Sequence, residues 1–373
     1  MTDTGEPCIL YGELYTKYKS EVISDIFSKT DIDTRKLVKS KANDVIIPCS
    51  GETAVDIATA RCVPYDNILL GGDLNIIRLY DCDGSFMSYQ LNGKRKYDLA
   101  KVAQGVSVVH LYGDHLKGVK TYNPCLEEQK KIAKLLSLLD ERIATQNKII
   151  EDLKKLKSAI VEKVFCSPNQ EYPMCRIEGF EQALSTYKMS DFSSRIATKN
   201  KDSKCSLVLT IAAQYGLVNQ ESFFNKSVAS ENLTGYYLLH KGEFAYNRSY
   251  SAGYDWGTVK RLDNYDQGVL STLYICFKIN ETIVDSDYLA YYFESTKWHR
   301  GLSDIAGEGA RNHGLLNVSI TDYFNTKHRF PVIEEQKAIA KMLNTITEKE
   351  RKATLLGECY QKQKQYLLRQ MFI

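Results

Sequence analysis

The side chains most able to do chemistry in this 373-residue chain fall into no catalytic pattern. Six histidines make no HExxH pair, the spacing that puts two zinc ligands on one helix face. The tetrapeptide YNPC (122–125) lacks the second proline and the aromatic residue of an amino-methylating motif. GGDLN (71–75) is no phosphate loop, because no GxxxxGK[ST] follows it. The acidic residues form no nuclease-like cluster. We therefore expect no catalytic residues, no metal and no cofactor.

What remains is recognition chemistry, carried by polar side chains on loops. NRSYSAGYDWG (247–257) combines Asn247, Arg248, Ser249, Tyr250, Tyr254 and Trp256 with two glycines, directly after an expected strand. Asn and Arg each present a two-pronged hydrogen-bonding edge. GEGARNHG (307–314) offers Arg311, Asn312 and His313, and CSGETAVD (49–56) offers Ser50, Glu52 and Thr53 at a strand end. NGKRKYD (92–98) carries Lys94, Arg95 and Lys96 and reads equally as an anion clamp or a solvated hairpin tip. Each of these stretches also reads as a solvated loop of ordinary turn residues.

Loops need a scaffold, and the chain writes part of it twice. Residues 124–165 align without a gap on 331–372, 207 positions later. Fourteen of 42 positions are identical, nine of them in the first 13, with a shared opening PxxEEQKxIAKxL. In the first copy Ile132, Leu136, Leu139, Ile143, Ile150, Leu153, Ile160 and Val164 fall on alternating three- and four-residue steps, with Gln146 and Lys157 also on that stripe. In the second copy Ile339, Leu343, Ile346, Tyr360, Leu367 and Met371 continue the register, with Glu350 and Gly357 as its weak middle. Pro124 and Pro331 precede the helices, and Glu127, Glu128, Glu334 and Glu335 place carboxylates at the positive helix start. The spacing predicts two rods of roughly 58 Å, at about 1.5 Å per residue. One such helix cannot bury its stripe alone, so the two are expected to pair with each other. Packing each on its own domain, or dimerisation, are the other ways to cover the stripes.

The regions ahead of the rods read as mixed α/β. NDVIIPCS (43–50) corresponds to GEFAYNRS (242–249), and NILLGGDLNIIRLY (67–80) to GVLSTLYICFKI (268–279). These offsets near 200 suggest two copies of one fold that have drifted much further apart than the rods. The expected division is 1–123, the first globular domain; 124–168, the first long helix; 169–330, the second domain; and 331–373, the second helix.

The totals agree with a soluble globular protein of more than one domain: 43% hydrophobic, 25% charged, and no apolar run long enough to span a membrane. MTDTGEPCIL has no basic start before an apolar stretch, so no signal peptide is expected. Ten scattered cysteines without a CxxC pair read as buried, reduced thiols in the cytoplasm. The net charge of +3 sits in the repeated segments, +2 in 124–168 and +3 in 331–373, while each intervening region carries −1. Any polyanion binding by those regions must rest on local patches.

The doubled P-x-x-E-E-Q opening, each copy leading a long helix behind a Tyr- and Gly-containing α/β segment, resembles the specificity subunit of type I restriction–modification systems. The resemblance covers essentially the whole chain. It implies an α+β fold: two α/β target recognition domains joined by two long helices pairing as an antiparallel coiled coil with a pseudo-two-fold. It further implies a non-catalytic, DNA-binding subunit, each domain reading one half of a bipartite, asymmetric site. The helices would serve as spacer and as dock for two methyltransferase subunits, to which restriction (motor–nuclease) subunits add. Duplex strands are related by two-fold axes perpendicular to the helix axis, so two similar readers engage equivalent grooves most simply when antiparallel rods supply such an axis.

On this reading the residues expected at DNA are Ser50, Glu52, Thr53, Lys94, Arg95, Asn247, Arg248, Tyr250, Trp256, Arg311, Asn312 and His313. Lys and Arg would hold phosphates, and polar side chains would discriminate bases. The 25 tyrosines suit groove contacts as well as sheet and core positions. One departure from the family is the lead-in 172–205, which has no counterpart ahead of the first domain; about 35 residues are expected there on the family's pattern. The other classes considered are the specificity subunit of a fused restriction–methyltransferase system, and a coiled-coil scaffold whose heads bind proteins.

Overall fold

The computed structural model describes residues 4–33, 37–105, 107–226, 232–249, 253–305, 311–312, 315–316 and 318–372. The two rods are single helices, Leu126–Val164 of 39 residues and Ile333–Gln370 of 38. The chain divides into two compact units: Met1–Ile150 with Lys352–Ile373, and Glu151–Arg351. Each unit thus holds the start of one long helix and the end of the other.

Within the first unit these helices run antiparallel. Ala133 and Leu136, near the start of one, share a core with Leu368 and Phe372 at the end of the other, together with Phe86 and Tyr89 of the domain. Within the second unit Val161, Val164 and Phe165 share a core with Ile339, Ala340 and Leu343, again end against start. Leu136 and Leu343 are fully buried, and each contributes about 1.5–3 kcal/mol by leaving water.

The weak middle of the second stripe has a physical reason. Gln146 is buried and donates from Nε2 to the Ala353 carbonyl at 2.9 Å. A Cβ on Gly357 would touch Gln146 Cγ at 3.5 Å and Ile150 Cδ1 at 3.7 Å. Small residues on one helix therefore make room for a polar side chain on the other, and the amide is satisfied rather than stranded.

The globular part of each unit is built on the same sheet. In the first, Asp44–Pro48 lies between Arg61–Val63 and Leu74–Ile77, with Val45 opposite Cys62 on one side and Ile77 on the other. In the second, Phe244–Asn247 lies between Thr258–Arg261 and Ile275–Ile279, with Phe244 opposite Arg261 and Phe277. These four pairings are antiparallel. Strand interiors are rich in Val, Ile and Phe, which fit a buried pleated surface.

A helix follows the sheet in each unit, Gly84–Asn92 and Ser286–Tyr292. Asp83 and Asp285 cap them, accepting the amides of Phe86 at 2.8 Å and Tyr288 at 2.9 Å. The drifted duplication expected from 43–50 and 242–249 is thus present in strand order, register and capping.

Two expectations change. The basic run 92–98 is no hairpin tip; it is the turn between helices Gly84–Asn92 and Lys96–Val102, where Gly93 ends the first helix. Asn-Gly is a turn signal that serves a helix end as well as a hairpin. The cysteines are free but not uniformly buried: Cys8, Cys62, Cys166, Cys205 and Cys276 are, whereas Cys125, Cys175 and Cys359 are exposed. Among the described residues no helix is long and apolar enough to cross a membrane.

Candidate nucleic-acid interface

The shared opening of the duplicated motif ties each long helix to a globular domain. Gln129 accepts the Asp83 amide at 2.9 Å through Oε1 and donates to the Pro124 carbonyl at 2.8 Å through Nε2. Gln336 repeats this: it accepts the Asp285 amide at 2.9 Å and donates to the Pro331 carbonyl at 2.9 Å. Both glutamines are buried. Each one ties the entry of a long helix to the cap of a domain helix, which is why Gln is kept between two acidic residues and the apolar stripe.

A second pair of equivalent contacts sits further along. In the first unit Lys364 reaches both Glu21 and Asp140, the latter at 2.5 Å, and Asp140 accepts the Tyr89 hydroxyl at 2.7 Å. Burial and the Asp140 carboxylate push the Tyr89 phenol far above its usual range, so it remains a donor. In the second unit Lys157 lies 5.0 Å from the centre of the Tyr291 ring and 3.1 Å from Glu294. Phe372 packs on Phe86 at 5.3 Å between ring centres, and Phe165 on Tyr288 at 5.0 Å.

One contact is not duplicated. The second unit's lead-in forms strand Ser185–Lys188 against Lys327–Phe330, and Arg176 forks onto Glu335 with two hydrogen bonds of 2.9 and 2.7 Å. Glu335 is 1% exposed. Its counterpart Glu128 is exposed.

The loop residues divide into those free to face a ligand and those committed to the fold. Asn247 ends its strand and accepts the Ser249 amide at 3.0 Å. Arg248 donates to the Val318 carbonyl at 3.1 Å and the Leu273 carbonyl at 3.2 Å, while its own carbonyl accepts the Leu316 amide at 2.9 Å. This guanidinium therefore fastens one candidate loop to the segment behind the other. Trp256 is partly packed on the core, and its carbonyl accepts the Tyr246 hydroxyl at 2.9 Å. Gly257 has φ +74° and sits against the Asn247 carbonyl, where no side chain fits; glycine is what lets this loop return. Arg311 and Asn312 form a short strand paired with Leu315–Leu316. Tyr250 and His313 lie outside the described residues.

In the first domain Ser50 donates to Asp73, and Thr53 caps a short helix by accepting the Asp56 amide at 3.2 Å. Glu52 is exposed. Lys94 is exposed, whereas Arg95 pairs with Asp98 at 3.4 Å and lies 5.1 Å from the Tyr122 ring centre. The loop at 50–53 and the turn at 94–95 are thus held by separate partners. The structure brings the candidates of 247–249 together with the segment following 311–312, and leaves the first-domain candidates in two places.

Comparison with known proteins gives four matches. Residues 10–155 match the family described as Type I restriction modification DNA specificity domain. The chain is 25% identical over 359 residues to the Type I restriction enzyme MjaVIII specificity subunit of Methanocaldococcus jannaschii, covering 90% of this chain and 79% of that protein. Its fold is similar to the crystal structure of the type I restriction–modification S subunit from M. genitalium, with a TM-score of 0.55 at 16% identity over 99% of this chain and 92% of the other. A chain solved in a study of complex assembly of the type I restriction–modification system gives 0.51 at 14% identity, over 88% and 81%.

Proposed function

From its likeness to the specificity subunits of type I restriction–modification systems, we propose that this chain is one of them, selects the DNA sequence on which such a complex acts and performs no chemistry itself. The domains 1–123 and 169–330 act as target recognition domains, each reading one half of a bipartite, asymmetric site. The helices 124–168 and 331–373 set the distance between halves and dock two methyltransferase subunits. Restriction subunits join that assembly, which works in the cytoplasm.

The observation that carries this reading is the junction built twice. Gln129 on Asp83 and Gln336 on Asp285 hold equivalent domain helices in the same way, while the loops those domains present are unlike. Identical mounts with different reading surfaces suit a device that applies one geometry to two sequences. Affinity should come from phosphate contacts and fall steeply with salt; choice of sequence should come from the loops.

Long-read methylation mapping in the source cell tests it. A strain carrying the gene should show an adenine-methylated motif of two short parts around a fixed gap, and a deletion strain should lack that motif alone. An identical methylation pattern in both strains would refute the reading.

A further inference from the structure

The second unit contains an open cleft of about 660 Å³ between the sheet and the long helices. Lys154 and Lys157 of the first long helix, Lys260 and Thr258 of the sheet, and Tyr254 line it, together with the acidic residue Glu294. Lys260 is the unusual member. It is half-buried, and burial pulls its pKa below the usual lysine range. Among the described residues it makes no hydrogen bond and no close ion pair. The Glu294 and Asp263 carboxylates act on it only from beyond ion-pair distance, and a half-buried cation with no hydrogen-bond acceptor is costly.

The first unit supplies an internal control. Register places Arg61 opposite Ile46, one residue beyond the Val45–Cys62 pair, as Lys260 is opposite Ala245, one beyond Phe244–Arg261. Arg61 is therefore the counterpart of Lys260; it is 7% exposed, whereas Lys260 is only half-buried. There the chain satisfies the cation: the guanidinium donates to the Leu14 carbonyl at 3.1 Å and the Tyr18 carbonyl at 2.8 Å. The lysine on the adjoining helix end, Lys364, meets two carboxylates. In the second unit its counterpart Lys157 meets one, Glu294 at 3.1 Å. Glu350 also lines the cleft and has interactions of its own. The first unit also has a cleft, of about 560 Å³ beside Lys364 and Asp140, but Arg61 does not line it, whereas Lys260 lines the cleft of the second unit.

We propose that this cleft seats a phosphate group, held by Lys260, Lys157 and Lys154 with the Thr258 and Tyr254 hydroxyls. Donors converging from the strand, the loop and the helix suit a tetrahedral oxyanion with several acceptor oxygens. The source is a backbone phosphate of bound DNA, which rests on the function proposed above, or a free phosphate.

The full chain and its Lys260→Gln variant decide between outcomes. Inorganic phosphate should raise the unfolding midpoint of the wild type saturably, relative to chloride at equal ionic strength, and should not raise that of Lys260→Gln. Lys154→Gln, at an exposed position, should weaken the phosphate effect if Lys260→Gln fails to fold. With mixed-sequence duplex DNA, the log–log salt slope of binding should fall by about 0.9 in the variant if a DNA phosphate occupies the cleft. An unchanged slope with the phosphate effect lost assigns the seat to a free phosphate. Equal stabilisation of wild type and both variants by phosphate, or none in the wild type, overturns the proposal. Absence of DNA binding by the wild type counts against the proposed function and leaves the phosphate measurement standing.

Discussion

Gln336 accepts the backbone amide of Asp285 at 2.9 Å, and the two residues come from a long helix and a domain helix 51 positions apart in sequence. The same hydrogen bond joins Gln129 to Asp83. Removing the glutamine side chain leaves a buried cap amide and a buried proline carbonyl unsatisfied. Gln336→Ala should destabilise the protein by about 2–3 kcal/mol, near the upper range for stranded buried polar groups. Gln129→Ala should follow in the same direction. Urea unfolding checks the size, and faster hydrogen exchange at Asp285 or Asp83 checks the place.

Lys364 and Lys157 occupy matching positions yet should respond differently to substitution. Lys364→Met strands Glu21 and Asp140, which are 8% and 12% exposed, and should cost about 3–5 kcal/mol. Lys157 faces Glu294, whose side chain is 37% exposed, so solvent screens the loss and Lys157→Met should cost less than about 1 kcal/mol. Equal losses in denaturant titrations would mean that the two sites are not electrostatically distinct.

His328 sits in the strand that leads into the second long helix, fully enclosed. Its ring nitrogens contact the Tyr292 hydroxyl at 3.0 Å and the Thr326 hydroxyl at 2.8 Å. Burial pushes the imidazole down to about 3. The unfolded chain takes up a proton near pH 6.5 that the folded one refuses, so this contribution is intact above that pH and declines as pH falls toward about 3. The expected slope is about 1.4 kcal/mol per pH unit. His328→Gln should flatten the acid limb of stability measured between pH 6.5 and 4, whatever its effect at neutral pH.

Arg248 is both a candidate reader and a fastener. Its two carbonyl contacts predict that Arg248→Ala lowers stability by about 1–3 kcal/mol. If loop 247–257 reads bases, the methylated motif should degenerate in one half only. Degeneration in both halves would remove this loop from the interface.

Much of the architecture was legible because it is periodic or repeated. The stripe from Ile132 to Val164 and the doubled EEQ opening each announce a helix that needs a partner, and the identical phenylalanines Phe165 and Phe372 mark where each meets its domain. What stayed hidden depends on residues distant in sequence. Gln129 meets Asp83 across 46 positions, and nothing local names that partner. Arg61 and Lys260 become equivalent only through strand register, since their neighbours share no motif. Arg248 read as a free, two-pronged donor because its type suits base recognition, but the fold uses two of its donors on carbonyls. The run at 92–98 misled for a simpler reason: Asn-Gly followed by basic residues fits a hairpin tip and a helix end alike.

In the proposed function two long helices, antiparallel within each unit, set the distance between two reading domains. Removing one heptad from each, residues 143–149 and 354–360, keeps the seam in register and shortens the pair by about 10 Å. The methylated motif of the shortened protein should keep both half-sequences and lose about three base pairs from its gap, at about 3.4 Å per pair. A motif with its original gap would contradict the spacing role of the helices outright.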